Sequence, residues 1–322
     1  MYYIGIDLGG TNIAVGIVNE ACEMIKKGSV PTGRLRSFSE ITKDMGALCK
    51  QLMHEAGILD AEIVAIGIAC PGSIGLDGKS VGYANNIPSL NGEPLCDVMN
   101  QYFPAAKVYI ANDADAAAYG EMICGAAKGE KDVIMITLGT GVGGGIIIDG
   151  KIYAGFNNAG GELGHMVIVA DGAPCTCGRC GCWEGYASAT ALIQQTAETI
   201  KQFPESVIHE MIQGDIANIT GKTAFDALQQ GDAAGGAIVE QYVEYVGIGA
   251  ANLINIFQPK KLVVGGGVSK AGEPLLAPLR QYVRKNTYGV EIDGIPRTEI
   301  VEAVLGNDAG IVGAAMLFQQ YE

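Results

Sequence analysis

Four cysteines lie within eight residues of this chain: Cys175, Cys177, Cys180 and Cys182. His165 precedes the first of them by ten residues. Structural Zn²⁺ sites take four such thiolate and imidazole ligands, so the spacing predicts a bound metal ion. Two ligand sets are open at this point. Either His165 completes a set with Cys175, Cys177 and Cys182, or Cys180 replaces His165 in an all-thiolate set.

Two acidic residues bracket the predicted metal site. Glu162 lies three residues before His165, and Glu184 lies two residues after Cys182. Carboxylates beside an imidazole that a metal holds in place are suited to bind sugar hydroxyl groups. Most glutamates, however, are surface charges on loops or at helix starts, so the spacing leaves both interpretations open.

Glycine-rich turns follow three apolar segments, at residues 9–10, 139–145 and 265–267. Glycine lets backbone N–H groups approach phosphate oxygens, and the first turn adds Asp7 and the Thr11 hydroxyl. An aspartate at a strand end can reach a hydrated Mg²⁺. Together the three turns predict a site for the phosphates and adenosine of one nucleotide.

Asn112 and Asp113 follow a predicted strand, Lys107–Ala111, and precede a predicted helix, Ala114–Cys124. Ligands of α/β proteins gather at the carboxyl ends of strands, where a carboxylate can act on a bound hydroxyl group. Aspartate is also a preferred helix N-cap. The spacing alone favours Asp113 as a cap over Asp113 as a base.

Strand and helix patterns alternate along the chain, which predicts an α/β fold. The predicted strands are Tyr2–Ile6, Ile13–Val18, Glu62–Ile68, Lys107–Ala111, Val133–Thr137, Gly145–Ile148 and Lys260–Val264. A helix is predicted over Ser37–Ala56, another after Asp232, and a last one from about Asp308. The strand–glycine turn–strand pattern at residue 9 recurs at residue 139, so we expect a duplicated fold with two lobes and a cleft between them.

Composition limits the classes of partner. The 322 residues include 21 lysines plus arginines and 35 aspartates plus glutamates, for a formal net charge of −14. This charge repels nucleic acid backbones and anionic lipids, so neither is expected as a partner. The longest uncharged stretch, Val133–Ile148, is too short to span a bilayer.

Cysteine usage predicts the compartment. The chain has nine cysteines, and Asp7 interrupts the first apolar run too early for a signal peptide. We therefore expect a reducing cytoplasm, with buried thiols outside the metal cluster. The cysteines expected to be buried thiols are Cys22, Cys49, Cys70, Cys96 and Cys124.

Six motifs follow one another along most of the chain. They are Asp7-Leu-Gly-Gly-Thr-Asn12, Asn112-Asp113, Leu138-Gly-Thr-Gly-Val-Gly-Gly144, Gly160-Gly-Glu-Leu-Gly-His165, Cys175-x-Cys-Gly-x-x-Gly-Cys-x-Glu184 and Gly265-Gly-Gly-Val-Ser269. With these motifs the chain resembles the ROK family of repressors and sugar kinases, and within it the bacterial glucokinases. The cysteine–glutamate motif is the most specific of the six.

The resemblance implies a duplicated, actin-like fold of the ribonuclease-H type with two lobes and a central cleft. A small lobe would comprise residues 1–112 together with a C-terminal helix at about 308–322. A large lobe would comprise residues 113–307 and carry the zinc motif. The family also suggests a homodimer.

The resemblance further implies ATP and Mg²⁺ as cosubstrates and transfer of the γ-phosphoryl group to the 6-hydroxyl of glucose, with Asp113 as general base. The sugar would be bound by Gly72, Asn112, Asp113, Glu162, His165 and Glu184. The nucleotide would be bound by Asp7, Gly9, Gly10, Thr11, Asn12, Gly139, Thr140, Gly141, Gly265, Gly266 and Gly267. A structural Zn²⁺ would be held by His165, Cys175, Cys177 and Cys182, leaving Cys180 free.

Three alternatives remain beside a glucose kinase. The substrate could be another hexose, such as fructose, mannose or an N-acetylhexosamine, with Ser73–Leu95 shaping selectivity. A non-catalytic sugar-binding protein would be expected to lack Asp113 or the phosphate-binding turns. A repressor of the family would need a DNA-binding domain before the first strand, which starts at residue 2, so we expect no repressor.

Overall fold

The structure is a computed structural model that describes residues 1–289 and 294–321. Its strands are β1 (Tyr2–Leu8), β2 (Asn12–Asn19), β3 (Met24–Pro31), β4 (Ile63–Cys70), β5 (Ser73–Ile74), β6 (Val81–Tyr83), β7 (Lys107–Asn112), β8 (Val133–Leu138), β9 (Val142–Ile148), β10 (Lys151–Ile152), β11 (Lys261–Gly265) and β12 (Glu299–Glu302). Its α-helices are α1 (Phe38–Ala56), α2 (Leu95–Tyr102), α3 (Asp113–Cys124), α4 (Glu184–Ala187), α5 (Ala189–Thr199), α6 (Ile208–Met211), α7 (Thr223–Gln229), α8 (Ala233–Phe257), α9 (Glu273–Asn286) and α10 (Ala309–Met316).

In the first sheet, the carboxyl ends of three parallel strands lie at the same end of the sheet. Its strand order is β3-β2-β1-β4-β7. Strand β1 runs antiparallel to β2, as the sequence predicts, and parallel to β4, which in turn runs parallel to β7. The carboxyl ends of β1, β4 and β7 carry Asp7, Cys70 and Asn112, and the last two are paired in register. Chemistry-bearing residues of this sheet therefore lie at one edge.

The second sheet repeats the order of the first. Its order, β10-β9-β8-β11-β12, matches β3-β2-β1-β4-β7 strand for strand. Both sheets begin with a strand, a glycine turn and a second strand, at β1–β2 and at β8–β9. The predicted α/β class and the predicted duplication are both confirmed. Strands β5 and β6 form a small separate sheet.

The chain divides into two compact units. Unit 1 comprises Met1–Val133, Gly145–Gly161 and Val304–Glu322, and unit 2 comprises Ile134–Gly144 and Glu162–Ala303. The sequence places a lobe boundary after residue 112, whereas helix α3 lies in unit 1. The reason is close packing of α3 on α10, since a Cβ at Gly313 would lie 1.7 Å from the carbonyl oxygen of Ala116.

Regularly spaced apolar side chains form the core of unit 1. Helix α1 places Ile41, Met45, Leu48 and Leu52 on one buried face, the spacing expected of an amphipathic helix. These residues pack with the apolar side chains of β1, β2 and β4. Ser37 caps the helix in a capping box with Glu40, which satisfies backbone N–H groups of the first turn. This core supports the strand ends that carry Asp7 and Asn112.

The C-terminal helix is shorter than the sequence predicts. Helix α10 ends at Met316, and a 3₁₀ turn continues over Leu317–Gln320. The last residue of the predicted helix, at position 322, lies outside the described residues. Among the described residues, no helix combines the length and the apolar character needed to cross a lipid bilayer.

The five cysteines outside residues 175–182 are of two kinds, free thiols and a disulfide pair. Cys49, Cys70 and Cys96 are buried free thiols, as expected. Cys22 and Cys124, however, form a disulfide, with Cα atoms 6.0 Å apart and a sequence separation of 102. The expectation of free thiols at these two positions is therefore wrong. The bond ties the turn between β2 and β3 to the last residue of α3.

Removing this disulfide should destabilise the protein. We expect the Cys22→Ser/Cys124→Ser double variant to lose about 2–4 kcal/mol of unfolding free energy, because the cross-link restricts the unfolded chain. Urea unfolding of the oxidised wild type against the double variant measures this loss. A phosphine reductant, which should lower the stability of the wild type but not of the double variant, is the control. Equal stability of oxidised wild type and double variant would contradict the prediction.

Candidate functional site

Asn112, rather than Asp113, is the N-cap of helix α3. The Asn112 side-chain oxygen accepts hydrogen bonds from the backbone N–H groups of Ala114 at 2.9 Å and Asp115 at 3.2 Å. The interpretation of Asp113 as the cap is therefore wrong, because β7 continues one residue further than predicted. Asp113 is the first helical residue, and its carboxylate is exposed and also accepts from the Ala114 N–H at 2.9 Å. Its carboxylate is thus accessible at the end of a strand.

Asn112 also forms a hydrogen bond with the Pro71-Gly72 turn. Its side-chain amide donates a hydrogen bond to the carbonyl oxygen of Gly72 at 3.0 Å. Gly72 has a φ of 85°, and a Cβ there would lie 1.9 Å from the carbonyl oxygen of Tyr83. Only glycine fits this position. Unit 1 therefore places Gly72 beside Asn112 and Asp113, three of the residues for which the family resemblance implies a role in sugar binding.

The first glycine turn is held by the backbone. The Gly9 N–H donates to the carbonyl oxygen of Asn12 at 3.0 Å, and the Thr32 hydroxyl donates to the carbonyl oxygen of Gly9 at 2.6 Å. Thr11 and Asn12 are exposed, and Gly9 and Gly10 are half-buried. In unit 2, the Gly139 N–H donates to the carbonyl oxygen of Gly141 at 3.0 Å, two residues along the chain rather than three. Both turns are thus closed by a backbone hydrogen bond, although the two bonds differ in span.

Asp7 lies at the end of β1, beside the first glycine turn. Burial, and to a smaller extent the nearby Asp113 carboxylate, raise the pKa of its carboxyl group to about 6. Asp7 and Asp113, predicted from separate motifs, are thus near enough in unit 1 for one carboxylate to disfavour ionisation of the other.

Replacing Asp7 by asparagine should stabilise the metal-free protein at neutral pH. Because the folded pKa of about 6 lies above the ordinary 3.8, the folded chain binds this proton more tightly, and stability falls as pH rises from about 4 past 6. At pH 8 the Asp7→Asn variant should gain on the order of 2 kcal/mol. Urea unfolding without Mg²⁺ or nucleotide measures the gain. A gain that persists undiminished at pH 4 would contradict the assignment to Asp7.

In unit 2, one imidazole and three thiols form a compact group. Single ligand atoms of His165, Cys175, Cys177 and Cys182 all lie within 4.8 Å of one another. Sγ of Cys177 and Sγ of Cys182 are 3.7 Å apart, and Sγ of Cys175 is 3.7 Å from Nδ1 of His165. Thiolates bound at about 2.3 Å to a tetrahedral Zn²⁺ are separated by about 3.8 Å. The residues therefore fit a tetrahedral metal ion.

Cys180 is not part of this group. It is exposed, and its backbone forms a bridge with Pro174. Hydrogen bonds from the backbone and the guanidinium of Arg179 lower the pKa of the Cys177 thiol to about 6, which favours the thiolate that binds metal. The Arg179 guanidinium also donates to the carbonyl oxygen of His165 at 3.1 Å. Of the two ligand sets that the spacing left open, the structure assembles the one that includes His165.

Glu184 connects the metal group to the second glycine turn, a contact that the sequence analysis missed. Its Oε1 accepts from the Thr176 hydroxyl at 3.1 Å and lies 3.8 Å from Sγ of Cys175. Its Oε2 accepts from the Val142 N–H at 3.2 Å. A Cβ at position 141 would lie 2.3 Å from this oxygen. The glycine at 141 was thus a signal that another group approaches there, although not which one.

Glu162 lies three residues before His165, at the opposite end of this segment from Glu184. It is exposed and directly precedes a 3₁₀ turn, Leu163–His165. Its carbonyl oxygen accepts from the His165 N–H at 3.1 Å. Its backbone thus helps to hold His165 of the four-residue group, while its own side chain stays accessible.

The third glycine turn lies against the second one. A Cβ at Gly266 would lie 2.5 Å from the backbone of Leu138, the last residue of β8. Gly139 and Gly267, by contrast, have open space where a Cβ would be. Unit 2 therefore leaves room for a ligand against the backbone of Gly139 and against the backbone of Gly267.

A cavity of about 190 Å³ opens beside Gly267. It is also lined by Lys222, Phe225 and Gln229 of the α7 region. The aromatic ring and the amide are suited to a flat polar ring system such as a nucleobase. A larger cavity of about 410 Å³, which includes Ile254 and Val283, holds none of the residues that the sequence predicts for the site.

Comparisons with known proteins agree with the motifs. The sequence profile described as the ROK family matches residues 3–321. The chain is 37% identical to the glucokinase of Halalkalibacterium halodurans, over 100% of this chain and 96% of that protein. It is 33% identical to the glucokinase of Thermotoga maritima, over 98% and 97%. A crystal structure of a ROK family glucokinase from Streptomyces griseus, in complex with glucose and AMPPNP, matches with a TM-score of 0.79 at 37% identity, over 98% of this chain and 99% of that chain.

Proposed function

Because this chain belongs to the ROK family and has its actin-like ATPase fold, we propose that it transfers the γ-phosphoryl group of ATP to the 6-hydroxyl of glucose. The observation that carries the proposal is the similarity, over nearly the whole of both chains, to a solved kinase that binds glucose and an ATP analogue. The curated relatives described above are glucokinases as well. The chain is thus an ATP-dependent hexose kinase.

Asp113 is the proposed general base. Its carboxylate is exposed at the end of β7, while Asn112 performs the capping that would otherwise occupy it. A base in this position takes the proton of the attacking sugar hydroxyl. Phosphoryl transfer otherwise depends on positioning and charge neutralisation, with little covalent help from the protein. One carboxylate and well-placed backbone groups are therefore sufficient.

Each unit holds candidate glucose ligands. Unit 1 offers the Asn112–Gly72 pair beside Asp113. Unit 2 offers Glu162, His165 and Glu184, which lie around the metal group or next to it in sequence. Carboxylates and amides bind sugar hydroxyl groups through charge-assisted and neutral hydrogen bonds, and each would orient the sugar for attack by its 6-hydroxyl.

The proposed nucleotide ligands are the three glycine turns. In unit 1, the backbone of Gly9, Gly10, Thr11 and Asn12 would contact phosphate oxygens, and Asp7 would hold hydrated Mg²⁺. In unit 2, the backbone of Gly139, Thr140, Gly141 and Gly265–Gly267, which is open at Gly139 and Gly267, would contact the remaining phosphates, with adenosine in the cavity beside Gly267. Mg²⁺ would neutralise charge on the transferred group.

Zn²⁺ is the metal that the ligand chemistry favours. His165, Cys175, Cys177 and Cys182 would hold it, since three thiolates and one imidazole complete a tetrahedral set. With four protein ligands no coordination position is left for a substrate, so its role is structural. It would fix the ring of His165 and the segment that leads into Glu184.

Two further expectations belong to the same proposal. They are a homodimer, which the family resemblance suggests, and a cytoplasmic location, which the cysteine usage predicts. Light scattering of the purified protein tests the first directly, since a dimer has twice the mass of the 33.4 kDa chain.

A coupled ADP-release assay across hexoses tests the proposal. With ATP and Mg²⁺, we expect the highest kcat/KM on glucose, compared with fructose, mannose and N-acetylglucosamine. A higher kcat/KM on another hexose would contradict glucose as the substrate and leave the kinase assignment. No ADP release with any hexose, from folded protein that contains its metal, would contradict the kinase assignment itself.

A further inference from the structure

The single tryptophan of the chain lies between a metal-ligating cysteine and a proposed sugar-binding glutamate. We propose that Trp183 is a positioning residue that anchors Cys182 and Glu184 to helix α8, so that the metal group and the glucose-binding carboxylate depend on one buried contact. The second half of this inference rests on the proposed function, whereas the first half concerns the metal group alone.

The contact between Trp183 and α8 is close and directional. The indole ring is fully buried, and its N–H donates to the carbonyl oxygen of Tyr245 at 2.8 Å. Gly249, one helical turn further along α8, makes room for the ring, since a Cβ there would lie 2.1 Å from a ring atom. The ring is therefore fixed both by packing and by a hydrogen bond.

The neighbours of Trp183 are the functional groups of unit 2. Its backbone N–H donates to the carbonyl oxygen of Met166 at 2.8 Å, next to His165. Cys182 precedes it within the metal group, and Glu184 follows it as the first residue of α4. A shift of the indole would therefore move a metal ligand, the backbone beside a second ligand, and the carboxylate of Glu184.

Little regular structure holds this segment otherwise. Between the 3₁₀ turn at Leu163–His165 and α4, the described backbone forms no helix or strand, but only turn hydrogen bonds and the isolated bridges of Val167 with Cys182 and of Pro174 with Cys180. The supports that fix ligands in metal sites from outside the coordination shell typically change metal affinity or activity about 10–100-fold when removed. Trp183 occupies such a position toward Cys182.

Tyr242 offers a matched control. It is also fully buried on α8, and its hydroxyl donates to the carbonyl oxygen of Ala187 at 2.7 Å. Tyr242→Phe therefore removes one buried hydrogen bond between α8 and the end of α4. Trp183→Phe likewise removes one buried hydrogen bond between α8 and the residue that precedes α4. A merely structural role for Trp183 predicts that the two variants behave alike.

The experiment compares both variants as full-length, zinc-loaded protein. We expect Trp183→Phe to weaken Zn²⁺ binding about 10-fold in competition with a chromogenic chelator, and to raise KM for glucose about 10-fold with KM for ATP unchanged. Tyr242→Phe should change neither. In the wild type, whose tryptophan emission comes from Trp183 alone, removal of zinc by the chelator should change that emission.

Each outcome decides one claim. The anchoring of the metal group would be overturned if the two variants bound zinc with equal affinity and the tryptophan emission of the wild type did not change on zinc removal. A glucose KM unaffected by Trp183→Phe would overturn the link to Glu184. If no hexose is phosphorylated but Trp183→Phe still weakens zinc binding, the proposed function fails and the anchoring of the metal group stands.

Discussion

Replacing Asp113 by asparagine is expected to lower kcat for glucose phosphorylation by about 10²–10⁴-fold, with little change in KM for glucose. An amide has the size and hydrogen-bonding reach of the carboxylate but cannot accept the proton of the sugar hydroxyl at neutral pH. The fold should be unaffected, because Asn112 caps α3 and not Asp113. Steady-state kinetics with glucose and with ATP as varied substrates measure both constants.

Asp60→Asn is the control for this variant. Asp60 is an exposed carboxylate of unit 1 that pairs with Lys50 and belongs to no predicted site, so its loss removes one negative charge without touching the proposed chemistry. We expect its kcat to stay near the wild-type value. A kcat for Asp113→Asn within tenfold of wild type, or a loss that lies mainly in the glucose KM, would exclude Asp113 as the base.

Replacing Cys182 by serine is expected to remove the metal ion and to lower kcat/KM for glucose by about 100-fold or more. Cys182 is the fully buried member of the four-residue group, and serine is a poor ligand for Zn²⁺. Without metal, the described segment between His165 and Glu184 keeps turn hydrogen bonds, isolated bridges and the Trp183 contact, but no helix or strand, so we expect His165 and Glu184 to be held less firmly. Elemental analysis of the purified protein, combined with steady-state kinetics, measures both effects.

Cys180→Ser is the matched control, because Cys180 lies two residues away, is exposed and is absent from the group. It should retain one metal ion per chain and wild-type kinetics. The account of the metal site is wrong if Cys180→Ser loses the metal, or if Cys182→Ser keeps it. The same pair of variants decides between the two ligand sets that the cysteine spacing leaves open.

Local patterns in the sequence predicted the parts of the site whose residues are close in sequence. The metal group draws three of its four ligands from eight consecutive residues, so spacing and ligand chemistry suffice to find it. The glycine turns follow apolar strands directly, and their backbone geometry depends on neighbouring residues. The repeated turn also predicted the duplicated sheet order, since each copy begins with the same hairpin.

Long-range contacts could not be predicted in the same way. Glu184 accepts a hydrogen bond from Val142, 42 residues earlier, and Cys22 bonds with Cys124, 102 residues later. Nine cysteines allow many pairings, and nothing near either residue selects one of them. Such contacts follow from how strands and helices pack, which the residues beside them do not encode.

The N-cap of α3 shows a smaller error with a local cause. Asp113 stands directly before the helical run, and aspartate is a good cap, so the spacing favoured it. Strand β7, however, pairs with β4 up to Asn112, in register with Cys70. That pairing gives Asn112 the extended backbone of a cap, with φ −61° and ψ 150°. The sheet register therefore decides which of the two residues is available to a substrate.

Identification of the phosphorylated product tests the central claim most directly. We would incubate the protein with ATP, Mg²⁺ and glucose, and determine by phosphorus NMR which sugar oxygen carries phosphate, with 6-deoxyglucose as the substrate that lacks the acceptor. Glucose 6-phosphate formed in equal amount to ADP, and no sugar phosphate from 6-deoxyglucose, is the predicted result. ADP release without any sugar phosphate, or phosphate on a different oxygen of glucose, would contradict the account.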